Sequence, residues 1–235
     1  MARPSRAEDA RPHLPEMVVH LDDVQHYSGV HRISGLADGV FSIAMTLLVL
    51  EIAIPATHEE FLGDVLPHLL VFAMSFIILG TYWVGHAIQF HYVIRADRPL
   101  MVRTVLFLMF VSLVPFSTAF LAADRTDRLA IGVYTANLAL CGLFMQNTLL
   151  YATRDPLMLH PVMDRRIFRG IRAAYVVGPM LYAIAFLVAL GSPIAGFVIC
   201  VAVPIMTFFP NPFWGRVYRR IVNRPMPDDP PERAP

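Results

Sequence analysis

Apolar residues gather along this chain in six long runs: Ser34 to Ile54, Val65 to Ile88, Met101 to Ala122, Leu129 to Ala152, Ile171 to Leu190 and Ile194 to Phe209. The hydrocarbon core of a bilayer is about 30 Å thick and is crossed by about 20 helical residues at 1.5 Å rise. Inside it every backbone group must find a partner within the protein, and for runs of this length that means helix. The pattern therefore predicts an all-α integral membrane protein with six transmembrane helices. Only Gly191, Ser192 and Pro193 separate the last two runs, which makes them a tight helical hairpin. Pro179 and Pro204 fall inside those runs and are expected to kink them. Around this core, residues 1–31 read as a cytoplasmic N-terminal segment, partly disordered, and residues 32–212 as the transmembrane domain. Residues 213–235 read as a largely disordered cytoplasmic tail that ends PMPDDPPERAP. The first thirty residues contain no apolar stretch of the signal-peptide kind, so insertion is expected to be driven by the spans.

Composition agrees with this reading, because 56% hydrophobic against 16% charged residues cannot clothe a water-facing surface. A formal net charge of +1 gives no bulk field for nucleic acid, and none is expected as a partner. The placement of charge is more informative than its sum. Arg3, Arg6, Arg11 and Arg32 precede the first span, Arg95, Arg98 and Arg103 follow the second, and Arg154, Arg165, Arg166, Arg169 and Arg172 follow the fourth. Arg216, Arg219, Arg220, Arg224 and Arg233 follow the sixth. The alternate connections are different: the first carries Glu59, Glu60 and Asp64 with no Arg, and the fifth carries no charge. In the third, Arg125 and Arg128 are balanced by Asp124 and Asp127. By the positive-inside rule both termini are cytoplasmic and the span number is even. Cys141 and Cys200 both lie in apolar runs without ligand spacing, so neither a disulfide framework nor a metal site is expected.

The first span holds the candidate chemistry. At 100° per residue Leu36, Gly39, Ile43, Leu47, Leu50 and Ile54 share one narrow apolar stripe with Thr46 at its edge, while Asp38 points elsewhere. On pattern alone a helix-packing seam, with Gly35 and Gly39 as a small-residue pair, is favoured over a pore lining. A carboxylate inside a span costs at least ~2.5 kcal/mol at mid-helix, so Asp38 needs a partner or a task. On the second span Trp83 and His86 share a face near the cytoplasmic end. Asp38, Arg32, Trp83 and His86 at one depth make an economical polar cluster. His86 and His91, five apart, are poorly spaced for a metal.

These residues carry a resemblance. The segment from Arg32 to Ile52, RISGLADGVFSIAMTLLVLEI, resembles the first-helix signature of the lysosomal and endosomal potassium-leak channel family and its prokaryotic single-repeat relatives. Further matches are Trp83 to His86, Pro115 to Thr118 and Tyr134 to Asn137, so the likeness runs from Arg32 to Arg154. It implies a homotetramer of six-helix subunits, multi-pass in a prokaryotic cell membrane among its lipids, with the first helices lining a central pore. Carried over by position, Ile43, Leu47 and Leu50 line that pore with Thr46 beside them, and Arg32, Asp38, Trp83 and His86 brace the helix. The departure is Leu36-Ala37-Asp38, where the family has Phe-Ser-Asp.

With no TVGYG-like segment present, the expected constriction is an apolar ring at Ile43, gated by dewetting, passing K⁺ with modest preference over Na⁺. Thr46 hydroxyls would tune that preference, and Glu51 would gather cations at the mouth. No cofactor beyond permeant K⁺ is called for. The rival reading is a secondary transporter or proton-coupled permease that uses Asp38 and His86, although the spans lack mid-membrane charge and the halves show no repeat. An enzyme is disfavoured by the lack of a nucleophile elbow, a metal-ligand set or paired carboxylates. A purely structural membrane protein stays open.

Overall fold

The computed structural model describes residues 21–52, 65–160 and 165–208. The N-terminal segment up to residue 20, most of the first connection and the tail after residue 208 lie outside the described residues. Among the described residues seven α-helices follow one another: α1 (Leu21–Leu47, prolonged by a 3-10 turn at Leu48–Glu51), α2 (Leu66–His91), α3 (Arg98–Ser112), α4 (Val114–Ala123), α5 (Arg128–Ala152), α6 (Arg165–Gly191) and α7 (Pro193–Phe208). Among the described residues the extended structure is confined to one isolated bridge, Val93 with Leu159. Four segments, beginning at Gly29, Leu66, Arg98 and Arg128, are long and apolar enough to cross a bilayer. The apolar parts of α6 and α7, Tyr175–Gly191 and Pro193–Met206, are shorter and form the expected hairpin.

Two of these helices make up the third apolar run. Pro115 brings no N–H to the ladder, and its ring crowds the carbonyl four residues back, so the helix breaks at Leu113 and restarts at Val114. Pro179 and Pro204, where kinks are expected from sequence, leave α6 and α7 as uninterrupted helices.

At the centre α5 packs against α3, α4, α6 and α7. Small residues allow the close approaches there. A Cβ built on Gly142 would stand 2.0 Å from Cγ of Pro179, so the proline ring of α6 occupies the space that a side chain on α5 would take. Likewise a Cβ on Gly196 of α7 would lie 2.6 Å from the Cβ of Ala189 on α6. One group of polar side chains inside this core is paired across helices. Ser75 shares a 2.8 Å hydrogen bond with the Tyr134 hydroxyl and accepts one from Thr118 at 3.0 Å. Tyr82 donates to the Leu138 carbonyl at 2.7 Å, and Asn137 donates to Ser117 at 3.2 Å. Replacing Ser75 with Ala leaves two buried hydroxyls short of a partner. The expected cost is about 1–3 kcal/mol, read as a lower thermal unfolding midpoint of the purified protein.

The two ends of the bundle use their charges differently. In the α4–α5 connection Arg125 donates to the Ala122 carbonyl at 3.3 Å, and Arg128, the first residue of α5, donates to the Leu190 carbonyl at 3.2 Å, so both cations cap helix C-termini. At the opposite end the α2–α3 and α5–α6 connections are tied by Ile94 N–H to the Met158 carbonyl at 2.9 Å and His160 N–H to the Tyr92 carbonyl at 3.0 Å. Asp97 caps α3 through the Leu100 N–H at 2.9 Å and accepts from the Tyr151 hydroxyl. Arg103 lies 4.1 Å over the Tyr151 ring. The result is a braced platform on the arginine-rich side.

Candidate functional site

Among the described side chains, from Gly29 onward, helix α1 buries one face against the rest of the chain. Ile33, Ala37, Phe41, Ala44 and Leu48 recur at helical spacing and are all buried against α2, α3 and α4. The stripe read from sequence lies about a third of a turn away and is bare. Ile43 is 61% exposed and Leu50 74%, with Leu36, Thr46 and Leu47 also exposed. A Cβ on Gly35 or Gly39 would meet nothing within 4 Å. The stripe is therefore not a packing seam inside the subunit, because that role belongs to the neighbouring face. Its last predicted member, Ile54, lies outside the described residues.

Thr46 donates its hydroxyl proton back to its own helix, at 2.9 Å from the Ile43 carbonyl and 3.0 Å from that of Ser42. With the donor used in this way, the oxygen lone pairs remain for a cation. Glu51 ends the 3-10 turn and is exposed.

Of the four bracing candidates the structure brings two into contact. The indole N–H of Trp83 donates to Oδ1 of Asp38 at 2.9 Å, joining α2 to α1. His86 sits one turn beyond Trp83, only 2% exposed, and is stacked on Phe90 at 4.3 Å and Phe107 at 5.8 Å. Its Nε2 has no hydrogen-bond partner in the structure. Arg32 is exposed on α1 and makes no hydrogen bond or ion pair among the described residues. At the departure from the family signature, Ala37 is wholly buried and Leu36 is exposed. Sequence reasoning missed Phe107, which meets Phe41, Tyr82 and His86 and so wedges α3 behind the first helix. It lies in a uniformly apolar run, where no local signal sets it apart. Asp38→Ala is expected to loosen α1 from α2 at a cost of about 1–2 kcal/mol, while Asp38→Asn, which keeps the acceptor oxygen, loses less. Comparative thermal unfolding of the two variants measures the difference.

Long apolar helices, a third span interrupted beside a proline and a first helix left bare along one apolar face define a multi-pass helical membrane protein. Residues 32–115 match the family described as endosomal/lysosomal potassium channel TMEM175. A potassium channel of Streptomyces collinus is 34% identical over 160 residues, covering 64% of this chain and 78% of that one. A potassium channel of Chamaesiphon minutus is 36% identical over 173 residues, covering 66% and 81%. The crystal structure of a lysosomal potassium-selective channel TMEM175 homolog from Chamaesiphon minutus superposes with a TM-score of 0.67 at 32% identity, over 77% of this chain and 97% of that one. The chain belongs to the TMEM175 potassium-channel family.

Proposed function

We propose that this protein is a subunit of a homotetrameric potassium channel in a prokaryotic cell membrane, with both termini in the cytoplasm. Four copies of α1 line the pore, and K⁺ crosses an apolar constriction formed by Ile43, with Leu47 and Leu50 further along and Thr46 beside them. The observation that carries this reading is the bare stripe of α1, regular, apolar and unused by the subunit's own packing. Exposure to lipid is a poorer account of α1, because the Asp38–Trp83 pair is exposed on the same helix and a carboxylate facing hydrocarbon is costly. Neighbouring subunits and a water-filled pore relieve both faces at once. A closed ring of identical subunits is the usual way to enclose such a path.

An apolar ring cannot coordinate an ion, so preference for K⁺ over Na⁺ is modest and follows the lower cost of stripping water from the larger ion. The transporter reading finds little to stand on. His86 packs among phenylalanine rings and Asp38 accepts from an indole, so both are accounted for as bracing groups of α1 and α2. Ile43→Cys tests the pore directly, since native Cys141 and Cys200 are both buried and give little background. A charged thiol reagent added to the assembled protein in liposomes is expected to block K⁺ flux in this variant and to leave wild type unaffected. Flux that persists in the Ile43→Cys variant after its introduced thiol is fully labelled would take Ile43 out of the pore.

A further inference from the structure

The buried side of α2 carries an amide with no partner at all. Gln89 is 3% exposed, and neither its Nε2 nor its Oε1 makes a hydrogen bond. The other buried amides among the described residues are at least tethered. Asn137 donates to Ser117 and Gln146 donates to the Arg172 carbonyl at 3.3 Å, so only their carbonyl oxygens stay unpaired. His86, three residues before Gln89, keeps an unpartnered Nε2 that is just as deeply buried. At that spacing the two are neighbours on the helix surface.

Helix α6 presses on the same turn. A Cβ built on Gly85 would lie 2.6 Å from Cε1 and 3.1 Å from Cζ of Tyr175, and 2.9 Å from Cε of Met145 on α5. The Tyr175 ring therefore rests on bare α2 backbone, and Cζ carries the phenol oxygen to the same level. That hydroxyl makes no hydrogen bond among the described residues. Gly85 and Gln89, four apart, face the same way. Helical side chains lean back over the preceding turn, which for Gln89 is the turn of Gly85 and His86. Amide, imidazole and phenol thus gather around one turn of α2 without bonding to one another.

Buried polar groups in folded proteins nearly always have a partner, and an amide needs both an acceptor for its N–H and a donor for its oxygen. A cation answers only the oxygen, and an anion answers only the N–H. Water does both, and it suits Nε2 of His86 in either tautomer. Buried waters typically make about three hydrogen bonds to groups of this kind.

We propose that Gln89, His86 and Tyr175 hold ordered water at the junction of α2 with α5 and α6. The water ties α6 to the helix whose Trp83 holds Asp38, and so takes part in bracing the first helix. Nothing in this depends on the channel reading, since the packing concerned lies within one subunit.

The test uses the full-length protein in lipid vesicles, with its glutamines labelled at the side-chain nitrogen. Gln25, Gln89 and Gln146 are the only glutamines, and Gln89 is assigned through its backbone resonances. Solid-state NMR is expected to show rapid magnetisation transfer from water to the Gln89 amide protons. In Y175F, which keeps the ring and removes one partner, that transfer is expected to weaken about twofold. Gln89 amide protons that receive nothing from water overturn the proposal. Thermal unfolding of Q89M gives an independent reading, because methionine fills nearly the same volume without donors or acceptors. For a dry amide, Q89M removes two orphaned atoms and the protein unfolds at the wild-type temperature or above. With water bound, Q89M leaves the water and its other partners short of bonds, and the midpoint is expected to fall by about 2–4 °C. An unchanged or raised midpoint overturns the site. Should Q89M fail to assemble, the water transfer in wild type decides.

Discussion

Ile43→Asn is expected to raise K⁺ conductance about five- to tenfold and to bring K⁺ and Na⁺ permeabilities close together. The reasoning begins with what an apolar ring does to water. In the proposed tetramer four Ile43 side chains would face one another and offer no hydrogen bonds, so an ion would cross the ring with part of its hydration shell lost and unreplaced. Four asparagines at the same level supply amide groups that hold water in the constriction and take the place of lost hydration. Each 1.36 kcal/mol removed from a barrier is worth tenfold in rate, so a drop of about 1–1.5 kcal/mol gives the change expected. Selectivity suffers for the same reason. Where dehydration is no longer the toll, the difference between K⁺ and Na⁺ in that toll stops mattering. Single-channel recording of the variant in planar bilayers reads both quantities, and unchanged currents would mean that the narrowest point lies elsewhere.

Among the described glycines, Gly142→Ala is expected to be the most damaging substitution. Its Cβ would stand 2.0 Å from Cγ of Pro179, 2.8 Å from its Cβ and 3.0 Å from its Cδ. A proline ring cannot swing aside, so α5 and α6 would have to part by roughly 1.5 Å to reach ordinary carbon contact. Overpacking a core typically costs about 1–3 kcal/mol, and a clash between two rigid groups belongs at or above the top of that range. Because α5 is the central helix, the loss should appear as poor recovery of assembled protein and a sharply lower unfolding midpoint. Gly132, in the interior of the same helix α5, is the natural control. A Cβ there would lie 3.5 Å from the Phe186 ring, an ordinary van der Waals contact, and Gly→Ala in a helix interior is favourable by up to about 1 kcal/mol. Gly132→Ala should therefore be neutral or slightly stabilising, and equal behaviour of the two variants would contradict the packing described.

Most of the architecture was open to a reading of the sequence, because bilayer thickness fixes helix length and the apolar runs had no competing interpretation. What escaped was decided by contacts between distant residues. The break at Leu113 is one case: kinks are expected from sequence at Pro179 and Pro204, which lie inside uninterrupted helices, while the helix that breaks is the one carrying Pro115. The glycine opposite Pro179 that makes room for its ring on α5 comes from a distant part of the chain. The first helix is a second case. Periodicity found the stripe through Ile43 and Leu47, and the stripe through Ala37, Phe41 and Ala44 is just as apolar and just as regular. Pattern alone could not say which of the two the subunit keeps for itself. The pairing of Asp38 with Trp83 followed from the cost of an intramembrane carboxylate, whereas the enclosure of His86 by Phe90 and Phe107 had no local signature.

The most direct test of the central claim is passive cation flux into liposomes that hold the purified full-length protein, with K⁺ and Na⁺ gradients measured side by side. The account predicts protein-dependent K⁺ flux that exceeds Na⁺ flux by a modest factor and needs no coupled solute or proton gradient. A well-folded oligomer that carries neither ion under any gradient, or that moves K⁺ only when another solute moves with it, would contradict the account.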